Sequence, residues 1–396
     1  MRVFYAEASY SNDEIEEVTK VLKENRLSLM DGPKVKELER RIASLFNKKY
    51  GLMVNSGSSA NLLGILSLNL KKGSKVITPA LTFSTTVSPI VQSGLIPLFV
   101  DVEKDTLQIN TKILKNIDLE DVSAILVPNL VGNIANWEDI YHFAKENKLK
   151  IIEDSADTIG YKYRTSLSNW SDISTTSFYA SHVITGAGFG GMVCFDDKKN
   201  YELGLSLRGW GRRSSLYSNS EDYDRRFEAK IDDMNYDDKY IFDDIAYNFL
   251  PSEISAAFAL VQLQKLKDNL EKRIENFLYL KDNLSYSENF FIPKSYENVC
   301  TGWLAFPLIL QNRLVNKRKD FQLFLERNGI QTRTIFTGNI LRQPVAKKFK
   351  WESFGSFKIS DQIMRSGVLL GSHNRQSKEK LDYIISKVKE AEKKFI

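Results

Sequence analysis

The spacing of hydrophobic positions changes several times along this chain, and each change marks an expected element. Residues 11–23 and 33–46 read as two helices separated by Asp31-Gly32-Pro33, and Ser11 followed three residues later by Glu14 forms a capping box. From residue 51 onward short apolar runs, at 51–54, 75–78, 98–100, 124–127, 151–153 and 191–195, alternate with helical stretches at 60–70, 85–93 and 137–147. Runs that short, separated by helices, predict parallel strands joined by crossovers in a sheet buried on both faces.

The pattern then breaks. Residues 196–244 are rich in Ser, Asn, Asp, Arg and Tyr and lose clear periodicity, which predicts a long excursion with little regular structure. A long amphipathic helix is expected over 252–270, continued after a kink over 271–284. Beyond it the chain reads as α+β, with a strand at 302–310, a helix at 318–328, a strand near Thr332 and a closing helix at 378–394. The expected division is a large α/β domain over 1–250, including the excursion, and a connecting helix with a small C-terminal α+β domain over 251–396.

Composition narrows the class. A chain of 396 residues, 42% hydrophobic and 27% charged, is ordinary for a globular protein of two domains. Its 55 Lys+Arg against 50 Asp+Glu give a net charge of only +5. Arg208, Arg212, Arg213, Arg225 and Arg226 come nearest to a basic stripe. They read either as a solvated loop or as a clamp for an anionic ligand such as a diphosphate. No basic helix or aromatic-basic repeat accompanies them, so a nucleic-acid partner is not expected. Cys194 and Cys300 supply neither a disulfide framework nor a multi-thiolate metal site. No apolar run suits a membrane span or a secretion signal, and the expected location is the cytoplasm.

Three segments carry candidate chemistry. Asn55-Ser56-Gly57-Ser58-Ser59-Ala60-Asn61 follows a strand and opens a helix, an arrangement that cradles a phosphate or simply caps a helix. Ile151-Ile152-Glu153-Asp154-Ser155-Ala156-Asp157 ends an apolar strand with carboxylates, at the edge where open α/β sheets bind ligands. Asp154 there suits a protonated pyridine nitrogen, which makes the ring an electron sink; the alternative is helix capping by Asp154 or Asp157. Phe83 follows another strand end and either lies on an aromatic ring or belongs to the core.

With the run Ser177-Phe178-Tyr179-Ala180-Ser181-His182 following them, these segments resemble the nucleotide-sugar branch (DegT/DnrJ/EryC1/StrS) of the fold type I, aspartate-aminotransferase-like, pyridoxal phosphate enzymes. The resemblance covers about residues 4–390. It also includes Met30-Asp31-Gly32-Pro33, residues 79–83, and Tyr247-Asn248 leading into Ala256-Ala257 and Gln262-Leu263. It implies Gly57, Ser58 and Ser177 around the cofactor phosphate, Phe83 on the ring, Asp154 at the ring nitrogen and Asp157 as a further cofactor contact. Asn248 would reach the phosphate in a neighbouring subunit, which implies a homodimer with shared sites. Arg208, Arg212, Arg333 and Asn339 are implied substrate contacts.

Position 182 divides the family. Its aminotransferases carry lysine there, which bonds to the cofactor aldehyde; imidazole cannot, so the cofactor must be held by non-covalent contacts. Histidine marks the branch's 3-dehydratases, which Ser58-Ser59-Ala60-Asn61, Asp157, Gly338-Asn339 and Gln343-Pro344 also resemble. Pyridoxamine phosphate would condense with the carbon 4 ketone of a 4-keto-6-deoxy sugar, a base would take a proton from the cofactor methylene, and the carbon 3 hydroxyl would be expelled. With an ordinary pKa of about 6.5, His182 suits both taking that proton and giving one to the departing oxygen. No thiol lies in Arg208-Gly209-Trp210-Gly211-Arg212-Arg213-Ser214-Ser215, where some relatives hold a two-iron cluster. The resemblance therefore implies the cluster-free type acting on GDP-4-keto-6-deoxymannose, with ammonia released, L-glutamate re-aminating the cofactor, and no metal.

Two positions depart from the dehydratase pattern: Val183 replaces a second histidine, and Phe189 stands where an acidic residue is usual. The competing readings are a dehydratase for another nucleotide-linked 4-keto-6-deoxyhexose, an aminotransferase that recruits a lysine from elsewhere, and a silent binding protein. His142 and His373 are expected to be structural.

Overall fold

The computed structural model describes residues 1–24, 28–165, 167, 169–217 and 219–396. Eight strands form the central sheet, in the order Tyr50–Val54, Gly191–Phe195, Ile173–Ser177, Lys150–Ser155, Val122–Pro128, Lys75–Pro79, Ile96–Val100 and Glu352–Ser353. All run parallel except Gly191–Phe195, which is antiparallel to both its neighbours. Helices cover both faces, so the interior strand positions are buried, as the apolar runs predict. This is the aspartate-aminotransferase-like fold of the pyridoxal phosphate enzymes.

Local chemistry fixes the helix starts. Ser56 caps the helix Gly57–Ser67 by accepting from the Ser59 N–H at 3.1 Å. Glu14 reaches back to the Ser11 N–H at 2.9 Å, as the capping box requires. The helix Pro33–Leu45 has glycine at its N-cap, and its first N–H groups are held by Glu253, which accepts from Gly32, Lys34 and Val35.

Three further strands, Phe290–Phe291, Phe306–Leu310 and Gly367–Leu370, make a small antiparallel sheet packed under the helices Leu266–Leu284 and Lys378–Phe395, around Phe306, Leu308, Phe321, Leu369 and Ile384.

Several expectations are corrected. The segment expected to be irregular opens with an eleven-residue helix, Lys198–Arg208, because Asp197 caps it and its apolar side facing Leu52 and Phe195 is buried; position 218 in the same segment lies outside the described residues. The helix expected over 252–270 ends at Gln264 and is buried nearly all round rather than amphipathic, and the break falls at Lys265. Around Thr332 there is no strand, only a bridge between Arg333 and Leu369. Ile173–Ser177 is an interior strand that the apolar pattern misses, since four of its five residues are Ser or Thr, with hydroxyls donating to Asn61 and Glu153. Among the described residues no helix is long and apolar enough to cross a membrane.

Candidate active site

At the C-terminal ends of the parallel strands lies a cavity of about 650 Å³. The sheet's geometry creates it: Val54, Pro79, Pro128, Ser155 and Ser177 end their strands on the same edge, and the loops that follow splay apart. Gly57, Ser58, Phe83, Asp154, Asp157, Ser177, His182 and Arg333 all line it.

One end of the cavity suits a phosphate. Gly57 and Ser58 open an eleven-residue helix, and N–H groups in a first turn have no partner within their own helix. A Cβ on Gly57 would stand 2.6 Å from the Cβ of Ser177, so only glycine lets the helix terminus and the Ser177 hydroxyl lie side by side. Beside them the Asn55 Oδ1 is buried without a hydrogen-bond partner and faces the cavity.

The opposite wall carries the carboxylates. Strand alternation sends Glu153 and Asp154 to opposite faces. Glu153 accepts from Asn129, Ser155, Trp170, Ser174 and the Tyr161 hydroxyl, so its charge is fully engaged within the fold. Asp154 faces the cavity, its Oδ2 held at 2.8 Å by both Asn61 Nδ2 and Thr86 Oγ1 and its Oδ1 taking the Ala156 N–H. Burial raises its pKa despite these three donors, and no cation pairs with it among the described residues. Asp157 lies close by, accepts from the Val131 N–H at 2.9 Å, and is pushed up to about 8 by burial and then by the charge of Asp154. A buried carboxylate pair that lacks a cation fits a protonated pyridine ring.

Phe83 keeps 48% of its surface exposed to the cleft and meets Phe336 edge-on, a face available for stacking. His182 sits beyond the end of Ile173–Ser177, its Nδ1 3.4 Å from the Ser177 carbonyl oxygen and its ring edge-on to Tyr179. Burial lowers its pKa to about 4, so at neutral pH it is uncharged and able to accept a proton. Among the described residues no lysine lines the cavity, and Arg333 is the one cationic side chain that does. Its guanidinium lies 5.5 Å from the Tyr5 ring centroid and bonds the Thr332 carbonyl. The residues present therefore fit pyridoxal or pyridoxamine phosphate.

Other expected site residues lie elsewhere. Arg208 is buried, bonded to Glu39, Asp31 and the Met53 carbonyl; the expectation of a substrate contact gives way to an internal strut, because every near neighbour of its Nη groups is a protein acceptor. Asn339 is likewise fully buried, capping Ile340–Arg342 and bonding Asp361 instead of facing the cavity. Arg212 stacks over Trp210 at 4.4 Å and does not line the cavity, and Asn248 is exposed outside it. Val183, where a second histidine was expected, packs with Val35, Leu38 and Phe178 in the core, and Phe189 is exposed. His142 is exposed on its helix, and His373 is buried against the Phe4 carbonyl.

Sequence reasoning quoted Asn61 and Tyr179 within motifs without giving either a role, and it missed Thr86, which with Asn61 orients Asp154, and Tyr5 in the cavity wall. Asn61 alone left a signal, as a polar side chain one turn into an apolar helix.

The same architecture occurs in known proteins. The chain is 33% identical to the lipopolysaccharide biosynthesis protein RfbH of Salmonella typhimurium over 89% of its length and 83% of that protein. It is 30% identical to the GDP-4-keto-6-deoxy-D-mannose 3-dehydratase of Yersinia pseudotuberculosis, covering 97% of each. The solved structure of the E. coli GDP-4-keto-6-deoxy-D-mannose-3-dehydratase with bound hydrated PLP superposes with a TM-score of 0.88 at 28% identity, covering 98% of this chain and 99% of that one. Residues 8–389 match the DegT/DnrJ/EryC1/StrS aminotransferase family, and the chain belongs to that family.

Proposed function

We propose that this protein is a pyridoxamine phosphate-dependent 3-dehydratase of nucleotide-linked 4-keto-6-deoxy sugars, acting on a GDP-4-keto-6-deoxymannose type substrate with L-glutamate as amino donor. The observation that carries the reading is His182 in a cavity that, among the described residues, no lysine lines. Bound there, the cofactor would supply an amine able to condense with the sugar's carbon 4 ketone and a ring able to take up electrons.

The chain's own residues do the rest. Gly57, Ser58 and Ser177 hold the phosphate, Phe83 lies on the ring, and Asp154, fixed by Asn61 and Thr86, keeps the ring nitrogen protonated. The Ser177 carbonyl beside Nδ1 favours a proton on that nitrogen, which leaves Nε2 as the acceptor. His182 takes a proton at Nε2 from the cofactor methylene and returns it to the oxygen departing from carbon 3. The imidazole ends the step neutral and water leaves. Water would then release the deoxygenated sugar as an enamine and leave the cofactor as its aldehyde, which L-glutamate would re-aminate, and a second water would convert the free enamine to a 3-deoxy ketone and ammonia. The likeness to RfbH, a lipopolysaccharide biosynthesis protein, supports a place in bacterial surface-polysaccharide assembly. On this reading the reaction runs in the cytoplasm, in a homodimer in which Asn248 reaches the partner's cofactor phosphate.

The test is incubation with PLP, L-glutamate and a panel of nucleotide-linked 4-keto-6-deoxyhexoses. Ammonia and a 3-deoxy ketone are expected with the GDP-linked manno sugar; the same products from a different sugar alone would move the substrate, and an aminated sugar without ammonia would mark an aminotransferase.

A further inference from the structure

Behind the cavity wall lies an arginine that the chemistry above does not use. Arg273, in the middle of Leu266–Leu284, is 1% exposed and has no carboxylate partner among the described residues. Burial lowers its pKa to about 10, and its Nε has no hydrogen-bond partner. A buried guanidinium without a counter-ion is unfavourable for stability, so its contacts need another explanation.

Those contacts lead to the site. Arg273 Nη1 donates to the Leu304 carbonyl at 3.1 Å and to the Trp303 carbonyl at 3.3 Å. The Leu304 N–H donates to the Val131 carbonyl at 2.8 Å, and the Val131 N–H donates to Asp157 Oδ2 at 2.9 Å. Two links of this chain are held in the left-handed region. Trp303 has φ 40° and Val131 has φ 58°, which for a β-branched residue is a rare and strained conformation. Gly132 follows with φ 77°, and a Cβ there would stand 2.6 Å from the Leu304 nitrogen. Thr301 Oγ1 ties the Gly132 carbonyl at 2.5 Å, and Phe277 stacks on Trp303 at 4.6 Å. The strained turn at 131–132 is thus clamped from the helix side, and its one outward product is an N–H aimed at Asp157.

We infer that Arg273 is a positioning residue, which through the Leu304 and Val131 peptide units fixes the orientation of the Asp157 carboxylate in the cavity. The cofactor consequence rests on the proposed function; the mechanical consequence does not. Clamping two strained peptides from behind orients a carboxylate that has a single protein donor among the described residues, where a side-chain donor in the cavity would compete with ligand for space.

The experiment reads both. Hydrogen exchange of the peptide covering 129–134 in cofactor-free protein is compared for wild type, Arg273→Met and Asp157→Asn. Exchange of the Val131 amide should accelerate in both variants; unchanged protection in Arg273→Met overturns the inference. Affinity for PMP is then measured across the double-mutant cycle. Arg273→Met should weaken PMP roughly tenfold in the wild-type background and little in Asp157→Asn, whereas equal losses in both backgrounds would mark a general structural defect and also overturn it. Should Arg273→Met fail to fold, Thr301→Val removes one strut of the same turn and should raise exchange there. Absence of PMP binding in wild type would sink the functional reading alone, since the exchange data stand without cofactor.

Discussion

The strand-end cavity and the stretch that begins at Arg208, the last residue of the helix Lys198–Arg208, both carry charged residues that a motif reading assigns to ligand binding, yet the fold treats them differently. At the strand ends, position follows from the sheet: a residue just past a parallel strand must face the shared edge, so Gly57, Asp154, Asp157, Ser177 and His182 meet although up to 125 positions separate them. In the second stretch the central sheet imposes no direction. Arg208 turns inward to Glu39 and Asp31, and Arg212 lies on Trp210. Motif spacing is therefore a guide to geometry where regular structure transmits it, and a poor one where side chains choose among local partners.

The sharpest break of this contrast is at His182. His182→Gln is expected to lower the dehydration rate by roughly 10²–10⁴-fold, the usual range for losing a general base or acid, with PMP affinity changed little. Single-turnover rates and PMP titration check both halves.

Next in size is Arg208→Met, which the structure makes a stability variant. Leaving Glu39 and Asp31 without their buried cation should cost about 3–5 kcal/mol in denaturant unfolding, while the KM for sugar in the folded fraction stays unchanged. A raised KM with undiminished stability would restore Arg208 to the site.

The carboxylate pair gives a smaller effect whose sign follows from linkage. Asp157 titrates near 8 in the fold and near its ordinary value when unfolded, so its neutral form is favoured by folding. That contribution is complete below about pH 4 and is lost as pH rises towards 8. Cofactor-free Asp157→Asn should therefore gain thermal stability relative to wild type at pH 8 and not at pH 4, on the order of a few degrees. A shift of equal size at both pH values would contradict the raised pKa.

Asn248→Ala is the mildest. If Asn248 serves the partner's phosphate, PMP affinity should fall roughly tenfold with no change in Tm of the cofactor-free protein. Equal affinity would leave the cavity's own residues as the whole of the phosphate site.

Much of this was legible before the structure. Alternating short apolar runs and helices imposed a parallel sheet, and the motifs at 55–60, 153–157 and 177–182 marked its ligand-binding edge. What the pattern concealed has physical causes. Ile173–Ser177 reads as polar yet is buried, because its hydroxyls are satisfied by Glu153 on the neighbouring strand and by Asn61 on the helix packed against the sheet. The helix Glu253–Gln264 lacks an amphipathic stripe because it is buried nearly all round. The role of Arg208 depends on Glu39, 169 positions away, and no local spacing encodes that pair. The Arg273 relay runs through peptide groups, which leave no mark in side-chain identity.

The proposed reaction requires that no side chain tether the cofactor and that His182 act on it as a free base. Borohydride treatment of the PLP-loaded protein followed by intact mass tests this most directly. Wild type should keep its unmodified mass, and His182→Lys should show the mass of a chain carrying one reduced cofactor. A cofactor fixed to the wild-type chain would contradict it.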